Sequence, residues 1–250
     1  MDLLEFLYAL EPRLALAILL ALSIVLYAVM ANLAWTSRKW TLLSGRRSRF
    51  ILWASTSRIA RVIGEIVRWL YYLAIPWAAL MLGYDTTRAL GIWRMDWLAG
   101  LLPFAILVVG SGIVIIWVWR PYARTTHPHA IDETGWNWAR QIVELLYQEA
   151  HWAFYRSGPV IWIGDFYLGS LLGLALVFLE GGSNPFVRAN VEEVTRADAP
   201  LWSASLAIVS TLVFILTQNA WYSLMAHLLL ALGLRGFIGF PRAHSIEGSS

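Results

Sequence analysis

The chain contains no cysteine. That excludes disulfides, thiolate metal sites and cysteine nucleophiles, and leaves the compartment open. Charge is scarce as well: charged residues make up 14% of 250 positions against 59% hydrophobic ones, and the mean hydropathy of +0.60 excludes an ordinary soluble domain. The net charge of +3 is small and sits mainly in one loop, so nucleic-acid binding has no support. The N-terminus, MDLLEFLYALEPR, is acidic rather than basic before the first apolar run, so no cleavable signal peptide is expected. Internal repeats and low-complexity segments are lacking too.

What is present is a series of apolar runs near the length of a membrane-crossing helix, separated by charged loops. The runs are continuously apolar, without the period-two alternation of barrel strands. The expected fold is therefore an all-α polytopic transmembrane helix bundle in a single membrane domain. It should have about six spans, near 14–34, 62–83, 97–119, 160–179, 201–218 and 221–238. Glu65 and Arg68 near the start of the second span either snorkel or pair at i,i+3. Residues 136–156 read as one interfacial helix, capped by Thr134 and ended by Gly158 and Pro159. Asp165 faces inward or sits at an interface; pairing with Arg156 would make Arg156 structural. Gly169 and Gly173 form a small-xxx-small pair suited to close packing within the bundle.

The basic loop 35–61, with Arg38, Lys39, Arg46, Arg47, Arg49, Arg58 and Arg61, places itself in the cytoplasm by the positive-inside rule. Segment 120–159 then lies on the same side of a multi-pass cell-membrane protein, and Arg235 and Arg242 argue mildly against an outer C-terminal tail. Many of the fifteen Trp fall near span ends, as an aromatic belt requires. His127 and His129 with Asp132 and Glu133 meet no regular metal spacing and read as a solvated loop.

Ionisable groups beside apolar spans are functional candidates, and YQEAHWAFYRSGP, residues 147–159, carries three: Glu149, His151 and Arg156. Helical spacing puts Glu149 and Arg156 nearly on one face, while His151 points elsewhere and meets Tyr155 at i+4. A Glu at an apolar boundary suits a general base on water. An interfacial helix facing headgroups is the competing reading. His227, inside SLMAHLLLALGL, is either a helix-helix hydrogen-bonding group or a ligand or proton carrier. Gln218 and Asn219 stand at the break before it.

These pieces resemble the CPBP family, the CAAX-processing and bacteriocin-processing intramembrane proteases, over about residues 140–235. HWAFYR, 151–156, stands in the register of the family's EExxxR motif, with Arg156 matching, His151 and Trp152 in the two Glu positions, and Glu149 just before them. FILTQ, 214–218, corresponds to FxxxH with Gln218 for His. HLLLA, 227–231, corresponds to HxxxN with Ala231 for Asn. His227 follows Gln218 by nine positions, a shorter gap than the family pattern leads one to expect.

The resemblance implies a catalytically eroded member that binds a membrane protein or a hydrophobic or lipidated peptide, with the lipid bilayer as its other partner. The alternative is an active intramembrane protease. There Glu149 activates water, His151 or His227 assists, Arg156 completes the motif, and Gln218 or Asn219 steadies the oxyanion. In that case a divalent metal has Glu149, His151 and His227 as candidate ligands. A third reading is a non-catalytic accessory subunit of a membrane complex.

Overall fold

A computed structural model describes residues 11–41, 57–93, 96–126 and 137–234. The arginines at 46, 47, 49, 235 and 242, the residues His127, His129, Asp132 and Glu133, and the expected cap Thr134 lie outside them. Among the described residues regular structure is helical throughout. The helices are α1 (Pro12–Thr41), α2 (Arg58–Trp69), a π turn (Leu70–Ala74), α3 (Ile75–Met81), α4 (Trp97–Thr126), α5 (Asn137–Ile163), α6 (Phe166–Ser183), α7 (Pro185–Glu192), α8 (Asp198–Thr217) and α9 (Ala220–Gly233).

Four stretches are long and apolar enough to cross a membrane: Pro12–Ser37, Trp97–Tyr122, Phe166–Ser183 and Asp198–Thr217. Even the shortest, at 18 residues, is about 27 Å long at ~1.5 Å per residue, close to the ~30 Å hydrocarbon core. Their outward faces are apolar: on α4, Leu102, Ile113 and Trp117 are 68%, 63% and 78% exposed. Such surfaces need lipid rather than water as their solvent. The architecture is that of a helical integral membrane protein.

The helices standing where the second, fourth and sixth spans are expected differ from them in form, position or length. The helix runs on from α2 through the π turn into α3, and α2 carries Arg68 paired with Glu65 at 3.7 Å, i,i+3, so its polar stripe and its exposed Ile59, Ile63 and Ile66 make it amphipathic. Residues 160–179 contain a turn: Gly164 takes φ 74°, and Asp165 caps α6 by accepting from the Leu168 N–H at 2.7 Å. A Gly in the left-handed region followed by Asp as N-cap is a stop and a start. The last apolar run yields α9 with 14 residues, about 21 Å.

The expected interfacial helix also differs. Helix α5 continues through Pro159 to Ile163, and every residue from His151 to Val160 is buried. A helix buried all round is a core element, not one lying on headgroups.

Two compact units comprise residues 1–93 with 150–189, and residues 94–149 with 190–250. In the first, Ala15, Leu16, Leu20, Ala79, Tyr84, Phe154 and Tyr155 form the core. Here α6 crosses the buried part of α5 at its two small residues. A Cβ on Gly169 would lie 2.6 Å from Val160 Cα, and one on Gly173 2.5 Å from Arg156 Cα and 2.8 Å from the Tyr155 carbonyl oxygen. Pro159 has no N–H to give that carbonyl, and the close approach of α6 at Gly173 covers it.

Behind α3 the chain turns back with Tyr84 and Asp85 N–H groups on the Ala79 carbonyl. Asp85, 3% exposed, accepts from Thr86 N–H at 2.6 Å and Ser157 Oγ at 2.5 Å. Burial pushes its carboxyl up from 3.8 to about 6, against the downward pull of those two hydrogen bonds. Between those values the folded chain keeps a proton that the unfolded chain has released, so stability falls as pH rises through that window and levels off above it. Asp85→Asn preserves the contacts, with Ser157 accepting from the new amide. Melting curves from pH 4 to 7 should lose the slope in this variant, and at neutral pH it should be more stable by roughly 1–3 kcal/mol. An unchanged slope would place the carboxyl in water.

In the second unit the core is Phe104, Ile115, Trp119, Leu145, Leu206, Val209, Val213, Tyr222, Ala226, Leu230 and Ala231. Helix α9 is tied to α4 by Tyr222, whose hydroxyl donates to the Trp97 carbonyl at 2.6 Å.

Candidate functional site

Helix α9 is apolar except for a polar stripe at i, i+4 and i+8: Asn219, Ser223 and His227. One helix face carries all three, and each is buried. Ser223 Oγ donates to the Ser210 carbonyl at 3.0 Å, which fixes α9 against the middle of α8. At that level Ser210 Oγ lies 2.8 Å from both oxygens of Glu149, and His227 Nδ1 lies 3.2 Å from Glu149 Oε2. Glu149 is 4% exposed, His227 1% and Ser210 0%. Carboxylate, imidazole and hydroxyl thus close on one another away from water, joining α5, α8 and α9. An ionised Glu149 sets the His227 tautomer with its proton on Nδ1. Chemically the pair can hold and exchange a proton, and a charge-assisted contact in an apolar interior is strong where both partners are present.

Asn219 does not face a reacting centre. Its Oδ1 caps α9, accepting from the N–H groups of Trp221 at 2.9 Å and Tyr222 at 3.3 Å. Asn219→Ala should lower thermal stability by about 1 kcal/mol, the usual value of an N-cap. Asn219→Ser should restore most of it; an alanine variant as stable as the parent would remove the capping role. Gln218 is exposed and takes φ 50° as the left-handed C-cap of α8. It shapes the hairpin between α8 and α9.

His151 keeps different company, in the first unit. Its Nε2 is 3.2 Å from the Tyr71 hydroxyl and 3.5 Å from Glu180 Oε1, and its ring meets Tyr155 at 4.4 Å as the i+4 spacing anticipates. Arg156, 1% exposed, is seated where Gly173 lets α6 approach. The Asp165 carboxylate expected near it is spent on the α6 cap.

The structure therefore brings Glu149 and His227 together, and gives His151 to another cluster. Among the described residues no three or more His, Asp or Glu side chains gather closely enough to hold a metal ion. Sequence reasoning missed Ser210 and Ser223, which look like ordinary small residues in apolar helices. It also missed Tyr71 and Glu180. Glu180 is a lone acid ending the run LALVFLEGG; it is 6% exposed, and its position in a run otherwise free of charge was the available signal.

In comparisons with known proteins, no family model, no curated protein and no solved structure matches this chain.

Proposed function

We propose that this membrane protein is a catalytically eroded, CPBP-like binder that holds a membrane partner or a hydrophobic or lipidated peptide without cutting it. The observation that carries this reading is the closure of Glu149: both of its oxygens receive Ser210, and one also meets His227, with the three side chains almost wholly buried. A general base needs its oxygen on a water that faces a substrate carbonyl. Here the carboxylate is committed to holding three helices. The candidate oxyanion donor Asn219 is committed to a cap, and His151, in a position where the family motif has Glu, is hydrogen-bonded to Tyr71.

A second reading, the active protease, is favoured by one distance, the 3.2 Å between His227 Nδ1 and Glu149 Oε2, which is a competent base and partner. Proteoliposomes of the parent and Glu149→Gln, offered a labelled farnesylated peptide and a labelled transmembrane peptide, separate the two. The eroded binder gives saturable binding in both proteins and cleavage in neither. Cleavage by the parent that Glu149→Gln abolishes establishes the protease. Absence of saturable binding to either peptide removes the binder.

A further inference from the structure

The chemistry left unused by that reading lies in the first unit, around the hydroxyl of Tyr71. This residue stands in the π turn Leu70–Ala74, a local widening of the helix that is concentrated at functional sites. Its hydroxyl is 2.5 Å from Glu180 Oε1 on α6, 3.2 Å from His151 Nε2 on α5 and 3.5 Å from the Tyr155 hydroxyl. From α1, Ser23 contributes Oγ at 3.2 Å and its carbonyl at 3.3 Å, and Tyr155 in turn donates to Ser23 Oγ at 3.1 Å. Two further rings face the cluster: Tyr27 of α1, stacked on Tyr71 at 6.1 Å, and Tyr72, edge-on to His151 at 5.2 Å. Ser23 and Tyr155 are 0% exposed, His151 1% and Glu180 6%.

Of these groups, Glu180 and His151 are the ones that carry charge near neutrality. An ionised Glu180 beside a neutral imidazole would leave one uncompensated negative charge away from water, which is strongly unfavourable. One added proton makes the cluster neutral, either as imidazolium with carboxylate or as imidazole with carboxylic acid. The Tyr71 hydroxyl touches both partners and bridges them: its oxygen accepts from His151 Nε2–H and its O–H donates to Glu180 Oε1. His151 Nδ1 is buried and has no hydrogen-bond partner. An N–H there would be unsatisfied, so the arrangement favours the imidazole with carboxylic acid.

From this geometry we infer that Tyr71, His151 and Glu180 form a buried proton-binding site, in which the two ionisable side chains hold one proton between them and the tyrosine hydroxyl bridges them. Ionisable residues buried among membrane helices are functional candidates in their own right. The site is chemically separate from the Glu149–His227 pair, and neither the eroded nor the active reading of that pair requires it.

The test is spectroscopic and uses the full chain in micelles at neutral pH. Infrared difference spectra between parent and Glu180→Gln report a protonated carboxyl, and 15N spectra of histidine-labelled protein, with His151 assigned from His151→Gln, report the imidazole. The expected result is a carboxylic-acid carbonyl band that Glu180→Gln removes and Glu149→Gln leaves in place, with His151 as the neutral Nε2–H tautomer. An imidazolium signal from His151 without that band also shows the held proton. Neutral His151 together with ionised Glu180 overturns the inference. If Glu180→Gln fails to fold, Tyr71→Phe takes its place: loss of the hydroxyl should shift the carboxyl band or the His151 resonance, and a variant in which neither moves overturns the role of Tyr71.

Discussion

Truncating Glu149 to alanine is expected to destabilise the protein by about 3–5 kcal/mol, because it leaves His227 and Ser210 buried without their acceptor. The cost is not the modest net value of a typical hydrogen bond, which is ~1 kcal/mol. It includes the desolvation of groups that are 1% and 0% exposed. Glu149→Gln tells the two apart. Its carbonyl still accepts from Ser210 Oγ while its contact with His227 is weakened, so the variant should lose less than alanine does, roughly 1–3 kcal/mol. Thermal unfolding in detergent, followed by tryptophan fluorescence, gives both numbers. Equal, small losses for Ala and Gln would mean that the carboxylate is solvated.

The crossing of α5 and α6 carries the second large effect. At Gly173 the atoms that a methyl group would meet are Arg156 Cα at 2.5 Å, the Tyr155 oxygen at 2.8 Å and Arg156 N at 2.9 Å. All three are backbone, so no change of rotamer makes room and the helices must part. Gly173→Ala should cost about 1–3 kcal/mol, the range for overpacked cores, and Gly173→Leu more. Gly169→Ala should behave alike, since Val160 N and Cα stand 2.6 Å from its Cβ. Gly181, on the same helix, has nothing within 4 Å of a Cβ, and Ala there should be neutral or stabilising by up to ~1 kcal/mol. Melting temperatures that rank Gly181→Ala level with Gly173→Ala would contradict the crossing. The buried segment His151–Val160 would then lack the neighbour that encloses it.

Hydropathy made the class of the fold legible, since four of the apolar runs are helices of crossing length. It failed where local chemistry overrides a window average. Asp165 and Gly164 break one run into two helices. The helix 136–156 was found but misplaced. Its polar residues suggested an interface, whereas Glu149 and His151 satisfy their hydrogen bonding inside the protein. Gly169 and Gly173 were readable because small residues four apart have one common use in apolar helices.

The candidate site was half legible. Glu149 and His227 stand out as ionisable groups in apolar surroundings, and they do meet. Asn219 and Gln218 drew attention by the same polarity but serve to start and end helices. Ser210 gives no sequence signal, because a serine in an apolar helix most often bonds its own backbone. Its partner is set by tertiary placement 61 positions away. Tyr71 and Glu180, 109 positions apart, are brought together by packing that no local pattern encodes.

The account stands on Glu149 and His227 holding helices together, and a double-mutant cycle measures that directly. Glu149→Ala, His227→Ala and the double variant, unfolded under one set of detergent conditions, should give a coupling energy of about 0.5–3 kcal/mol, with the double variant losing less than the sum of the two single losses. Losses that add to within ~0.3–0.5 kcal/mol would show that the two side chains do not act as a pair, and the reading of this site as a structural latch would fall.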